Sequence, residues 1–437
     1  MIRLIAVLTS LLTLAQTAQA EVDIEVVNTP SGLTAWLVEA PEIPFVALEM
    51  RFGGGTSLDA LGKRGSVNLM VGLLEEGAGA MDARGFAERT EELAASFDFD
   101  AYSDSISISA RFLSENRDEA IDLLRLALNE PRFDQDAIDR VLGQVISGIK
   151  SDLKDPDVIA RRKFSALAFQ DHPYGSSGEG TEDSVSALTR DDLVQAHRDT
   201  MTRDRLHIAA VGDINAADLA VLLDTLLAEL PEQAAPWPDV ADYGLDGGIT
   251  VVPFDTPQSV AVFGHEGIQR DDPDFFAAYI LNELLGGSGF DSRLQSEVRV
   301  KRGLTYGVYT YLAPRDHGPL FLGGVSSSND RVSEAVAVIQ DEWARMANEG
   351  VSEEELELMK TYLTGSYPLR FDGNARIAGI LVSMQQSQLG PDYVNTRNDN
   401  IRAVTVDDIR RVAARIMRPE DLHFVVVGNP QGLEASN

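Results

Sequence analysis

Asn68 and Gly72 stand four residues apart in "GSVNLMVGLLEEG" (65–77), a stretch that reads as an amphipathic helix opening after one glycine and closing at another. Two imidazoles at that spacing would share a helix face and could hold a metal ion. An amide and a bare Cα cannot. The six histidines lie at 172, 197, 207, 265, 317 and 423, and no two are spaced i, i+4 on a helix. His207 and His423 begin strands at equivalent places in an internal repeat and read as structural, while His172 in the turn sequence "DHPYG" reads as a hydrogen-bonded loop histidine. There is no cysteine, which excludes disulfides, thiolate metal sites and a cysteine nucleophile. No GxSxG, GxxxxGK[ST] or GxGxxG occurs in a strand–turn–helix setting, and the Gly-rich "FGGGTS" and "LGGSGFDSRL" read as turns. The residues by themselves present no catalytic constellation.

The elements around these positions form two related halves. "LTRDDLVQAHRDTMTRDRLHIAAVGDI" (188–214) aligns without a gap on "VTVDDIRRVAARIMRPEDLHFVVVGNP" (404–430) at an offset of 216. Thr189/Thr405, Asp192/Asp408, Met201/Met417, His207/His423 and Gly212/Gly428 are among the identities. Each copy reads as a helix capped by Thr, with acids in its first turn, followed by a buried strand that stops at Gly. The Pro-, Asp- and Gly-rich stretch 231–248 reads as the linker, dividing an N-terminal domain (21–230) from a C-terminal domain (249–437). In the first half, "LTAWLVEA", "FVALEMRFG" and "SISISARFL" are expected strands and 115–129 and 134–153 expected helices. In the second, "QSVAVFGHEG" and "GPLFLGGVSS" are strands, with helices at 273–285, 330–349, 352–366 and 405–417. Runs of strand and helix without strict alternation indicate an α+β fold with mostly antiparallel sheets.

Arg3, the apolar run "LIAVLTSLLTLA" and the small-x-small "AQA" at 18–20 read as a signal peptide over residues 1–20, with Glu21 opening the mature protein. A signal peptide without disulfides suits the bacterial periplasm. The net charge of −32 disfavours nucleic acid and anionic membrane surfaces as partners.

The two-half organisation, "HPYG…G" at 172–180, "AAVGD" at 209–213 and above all "GFDSRLQSEVRVKRGLTYGV" (289–308) resemble the pitrilysin family of inverted-motif zinc peptidases over essentially the whole expected mature chain. Active members of that family carry His-x-x-Glu-His on the first long helix and a further Glu on a later one. Laid on this sequence, those positions fall on Asn68, Val71 and Gly72, and on Gln144. Amide oxygens are weak zinc ligands, glycine offers none, and valine cannot accept a proton. Glu75 and Glu76 are adjacent, point in different directions and cannot rebuild the site. The resemblance therefore implies no zinc in this chain.

The same resemblance places Arg299 and Tyr306 at the family's "R-E-x-x-G-L-x-Y" positions, with Val300 where Glu is usual and Arg302 a weaker substitute. In the family this Arg/Tyr pair helps bind peptide and stabilise the developing oxyanion. Some bacterial members are heterodimers in which one chain carries the zinc motif and the other lacks it and contributes the pair. The resemblance implies the second kind: a non-catalytic, substrate-binding subunit, paired with a homologous zinc-bearing chain, forming half of a clam-like chamber that degrades unstructured peptides. A structural scaffold and a peptide-binding protein without a protease partner are the alternatives.

Overall fold

The computed structural model describes residues 23–287 and 292–436, so the expected signal segment and residues 289–291 of the resembling stretch lie outside it. The first half runs β1 (Glu25–Asn28), β2 (Thr34–Glu39), β3 (Phe45–Gly53), α1 (Ser66–Val71), a short hairpin of β4 (Gly77–Ala78) and β5 (Met81–Asp82), α2 (Ala83–Glu92), β6 (Ser96–Ala101) and β7 (Ser105–Leu113). It continues through α3 (Arg117–Asn129), α4 (Gln135–Asp152), α5 (Pro156–Phe169), α6 (Glu182–Ser186), α7 (Arg190–Thr200), β8 (Leu206–Gly212) and α8 (Ala216–Leu227). The second half runs β9 (Gly248–Pro253), β10 (Gln258–Glu266), α9 (Phe275–Gly286), a π-helical turn (Gln295–Val300), β11 (Val308–Ala313) and β12 (Leu320–Ser328). After these come α10 (Val332–Glu349), α11 (Glu353–Ser366), α12 (Asn374–Gln386), α13 (Tyr393–Ala403), α14 (Val406–Ile416) and β13 (His423–Gly428).

Two sheets result, in the order β1-β2-β8-β3-β7-β6 and β11-β12-β10-β13-β9. Both are antiparallel apart from one pair each, β2 with β8 and β9 with β13. The fold is therefore α+β with mostly antiparallel sheets. The repeat is visible in atomic detail. Thr189 and Thr405 each cap a helix, accepting from the backbone N–H of Asp192 and Asp408, whose carboxylates return to the cap residue's own N–H. Both strands that follow end at a glycine with positive φ, +139° at Gly212 and +151° at Gly428. A Cβ at these positions would lie 2.2 Å from Phe45 O and 2.3 Å from Ser259 Oγ, so glycine is required at both.

These two strands also show why they read as unbroken apolar runs: both of their faces are covered. On β8, Ile208 and Ala210 face the larger N-terminal core, while Ala209 and Val211 face the opposite side. On β13, Phe424 and Val426 face the C-terminal core, and Val425 and Val427 face away from it. The opposite faces are closed by exchange between the halves. Helix α12 lays Ala378, Leu381, Val382 and Met384 on Trp36, Ala47, Ala209 and Val211 of the first sheet. Helix α5 lays Ala160, Phe164 and Ala168 on Val260, Val262, Val425 and Val427 of the second. Shifted by the 216 positions of the repeat, α5 falls on 372–385, over α12, so the exchange is reciprocal.

The segment 231–247 carries no regular element and is tied to both halves. Gly244 N–H bonds Ala168 O at 2.8 Å, Ala241 N–H bonds His317 O at 2.7 Å, and Arg205 stacks 4.0 Å above the Trp237 ring. The "HPYG" turn serves the same junction. His172 bonds Asp239 O through Nε2 (3.0 Å) and accepts from Tyr174 N–H, while the Tyr174 hydroxyl donates to Asp104 and accepts from His317 N–H. His423 is buried between Asp246 O and the Thr250 hydroxyl.

His265 on β10 is fully enclosed. Its Nδ1 lies 2.7 Å from Glu266 O and its Nε2 accepts from Trp343 Nε1–H at 3.2 Å, a network that fits the neutral ring protonated on Nδ1. Burial pushes its pKa down to about 4. A value below the ordinary one means that its contribution to stability is complete above about pH 6.5 and is lost as pH falls toward 4. At pH 5 the loss relative to pH 7 is expected to be roughly 2 kcal/mol. Asp316, pushed up to about 6 by burial and by Asp104, acts in the opposite sense over the same window. The measurement is therefore the urea midpoint at pH 7 and pH 5 in the native chain and in His265→Gln. A smaller acid shift in the variant is expected, and equal shifts would reject the assignment.

Candidate functional site

Helix α1 is started by a side chain from outside it. Asp59 accepts from Gly65 N–H (2.9 Å), Val67 N–H (2.8 Å) and the Ser66 hydroxyl (2.8 Å), and is itself held by Arg64 at 3.0 Å. Gly65 precedes the helix at φ +96°, where a Cβ would lie 2.6 Å from Glu179 O. The helix is shorter than the expected 65–77. It ends at Val71, and the chain continues in tight turns closed by Leu73 N–H to Met70 O and Leu74 N–H to Val71 O. Gly72, the first residue beyond it, keeps a helical φ of −64° and the bond to Asn68 O but contributes no side chain to packing.

Val71 is buried, Asn68 and Gly72 are half-buried, and Gln144 on α4 is exposed. A Cβ on Gly72 would approach Val141 Cγ1 on α4 at 3.3 Å, and Gln144 is three residues beyond Val141 on the same helix face. The structure thus brings α1 and α4 side by side at Gly72 and Val141. The donor set of the four positions is two amides, with no imidazole and no carboxylate, and does not fit zinc. Of the neighbouring acids, Glu75 is exposed and Glu76 is ion-paired with Arg140 of α4. No group of three or more His, Cys, Asp or Glu placed to hold a metal ion occurs among the described residues.

Arg299 and Tyr306 lie beside the other sheet. Arg299 sits in the π-helical turn Gln295–Val300, where Lys301 N–H bonds Ser296 O at 2.9 Å in the i→i+5 pattern. π-turns are rare and recur at functional sites. The turn is anchored by buried Glu297, which pairs with Lys301 and with Arg302 (2.7 Å); these contacts hold its carboxyl below its ordinary range. Arg302 also donates to Glu297 O at 2.8 Å, so its guanidinium is engaged in holding the turn. Gly303, at φ +59°, reverses the chain, and Arg331 donates to the carbonyls of Arg302 (3.0 Å) and Gly303 (3.1 Å).

Tyr306 follows on a fixed support. The Thr305 hydroxyl donates to Ser326 O at 2.6 Å and accepts from Gly307 N–H at 3.0 Å. The phenol between them is 87% exposed. Val300 is also exposed. Two further tyrosines, which sequence reasoning passed over, extend this surface: Tyr309 and Tyr311 stack at 6.2 Å on β11, the edge strand of the second sheet. The alternation in "VYTYL" was the available signal.

This geometry agrees with what the chain is similar to. The family described as Peptidase M16 inactive domain matches residues 187–363. A Helicobacter pylori protein named non-peptidase homolog YmxG is 26% identical over 391 residues, covering 89% of this chain and 90% of that one. An uncharacterized zinc protease of Rickettsia bellii is 22% identical over 363 residues, covering 83% and 85%. The crystal structure of a peptidase M16 inactive domain from Pseudomonas fluorescens matches 95% of this chain and 100% of its own with a TM-score of 0.87 and 27% identity. That of a protease from Helicobacter pylori, at 17% identity, TM-score 0.84 and coverages of 93% and 99%, shows the same fold.

Proposed function

We propose that this chain, similar to the M16 inactive-domain family and to a protein named as a non-peptidase homologue, is a non-catalytic pitrilysin-type chain and the substrate-binding subunit of a periplasmic heterodimeric zinc peptidase. The observation that carries the reading is the contrast between the two motifs. The α1/α4 site keeps its scaffold with no zinc ligand left, whereas the Arg299/Tyr306 segment is held by an ion-paired π-turn, two backbone clamps and a pinned threonine. A tyrosine ring that is 87% exposed contributes nothing to the core, and its rigid presentation suits contact with another molecule.

In this reading the partner is a homologous chain with His-x-x-Glu-His, and the two enclose a chamber for unstructured peptides. The edge of the second sheet offers the backbone donors and acceptors of β11, flanked by Tyr309 and Tyr311, to an extended peptide. Arg299 and Tyr306 then approach the partner's site, where a forked guanidinium and a phenolic O–H donate to the oxygen on which negative charge develops.

The test is to co-express the chain with its zinc-motif homologue. A one-to-one complex is expected, active on unfolded peptides, with zinc in the partner alone. A chain that stays monomeric or self-dimerises in the presence of that homologue, or that carries stoichiometric zinc itself, would overturn the reading.

A further inference from the structure

Two adjoining cavities, of about 380 and 500 Å³, are walled by the second half, with Arg51 of the first half reaching the larger, and share Arg370, Ser387, Tyr393 and Arg397 in their walls. With Arg270 lining the first and Arg51 and Arg376 the second, five guanidiniums converge on one trough. None of the five forms an ion pair among the described residues, in a chain of net charge −32 where arginines such as Arg411 and Arg415 each grip carboxylates. A single carboxylate, Glu283, lines the smaller cavity.

Three of these cations are held in place. Arg270 lies 4.2 Å over the Phe275 ring and donates to the Tyr393 hydroxyl at 2.9 Å. Arg397 lies 4.3 Å over the Tyr367 ring and donates to Leu363 O at 3.2 Å. Arg51, reaching in from β3, donates to Gln386 Oε1 at 2.9 Å, while its buried Nε has no hydrogen-bond partner. Arg370 and Arg376 are exposed at the same trough. Five cations gathered with one carboxylate, Glu283, in the same walls leave an excess of positive charge, and stacking on aromatic faces orients the guanidiniums without neutralising them. The unmet requirement is for an anion with several oxygens, and guanidiniums match planar carboxylates in bidentate fashion.

We propose that this trough binds acidic peptide segments, carboxylate side chains lying on Arg370, Arg376 and the three fixed guanidiniums. It is a site of this chain alone and holds whether or not a zinc-bearing partner exists. Carboxylates are preferred to phosphates because the trough is also lined with aromatic and aliphatic surface, Tyr367, Tyr393, Ile380 and Leu389 among it, which suits a polypeptide.

The test uses the full chain without any partner and a fluorescein-labelled peptide of alternating glutamate and alanine, read by anisotropy. Saturable binding that weakens with salt and is absent for the Gln-for-Glu peptide is expected. Arg370→Ala/Arg376→Ala should weaken it about tenfold, the equivalent of one to two charge-assisted contacts. The control Arg84→Ala/Arg410→Ala removes the same charge from exposed ion pairs elsewhere and should leave binding unchanged. Equal binding of the glutamine peptide, equal weakening by the control pair, or no binding at all would overturn the proposal. Displacement of the peptide by inorganic pyrophosphate at lower concentration than by unlabelled peptide would likewise overturn it in favour of a phosphate site.

Discussion

Peptide hydrolysis by the proposed complex of this chain with a zinc-bearing homologue is expected to fall about 10²- to 10³-fold when Arg299 is replaced by alanine, the range typical of deleting one oxyanion donor. Tyr306→Phe, which removes only a hydroxyl, should cost about tenfold. Complex formation and zinc content should stay unchanged, because neither residue is placed to hold metal. Steady-state kinetics distinguish the roles. A loss carried by kcat marks an interaction made in the transition state, whereas a rise in KM alone would mark ordinary substrate binding. Arg299→Lys keeps the charge and loses the fork, so partial recovery is expected. Full activity of Arg299→Ala in an intact complex would leave this chain a scaffold.

Producing residues 23–247 and 248–436 as separate polypeptides should give aggregated material from each alone and a soluble complex when the two are made together. The reason is the exchange of helices. Without α12, the first sheet exposes Trp36, Ala47, Ala209 and Val211; without α5, the second exposes Val260, Val262, Val425 and Val427. Contiguous apolar surface of this kind drives association. A single-residue gauge is Leu381→Ala at the centre of α12, fully buried in the intact chain and expected to cost about 3 kcal/mol by loss of buried surface and residual cavity. A fragment that is soluble alone and unfolds as cooperatively as the intact chain would show that the exchange is dispensable.

The contrast between α7–β8 and α12 shows how far the sequence could be read. The capped helix and glycine-ended strand are written locally: Thr189 and Thr405 need only a carboxylate three residues away, and β8 and β13 need only an apolar run stopped by a residue that tolerates positive φ. Helix α12 (374–386) was not among the helices expected from the sequence, and nothing local to it says which sheet it would cover. The length of α1 was overestimated because the apolar period continues through Leu73 and Leu74, whereas after Gly72 the backbone bonds tighten to the i→i−3 turns of Leu73 and Leu74. At the candidate site, the assignment of Asn68, Val71, Gly72 and Gln144 and of Arg299 and Tyr306 rests on resemblance alone. The cap from Asp59, the π-turn, the engagement of Arg302 by Glu297 and the five converging arginines were not legible in the sequence. Each depends on residues that meet only after the chain has folded.

Reciprocal helix exchange also sets a timetable. The last strand of the first sheet is complete at residue 212, yet the helix that covers its outer face begins at residue 374. At ribosomal rates of about 5 to 20 residues per second, roughly 10 to 30 s separate the two. Throughout that interval Trp36, Ala47, Ala209 and Val211 form an uncovered apolar plate on an otherwise assembled sheet. A nascent chain of this design therefore depends on being held, by a chaperone or in an unfolded state, until its C-terminal third has been made.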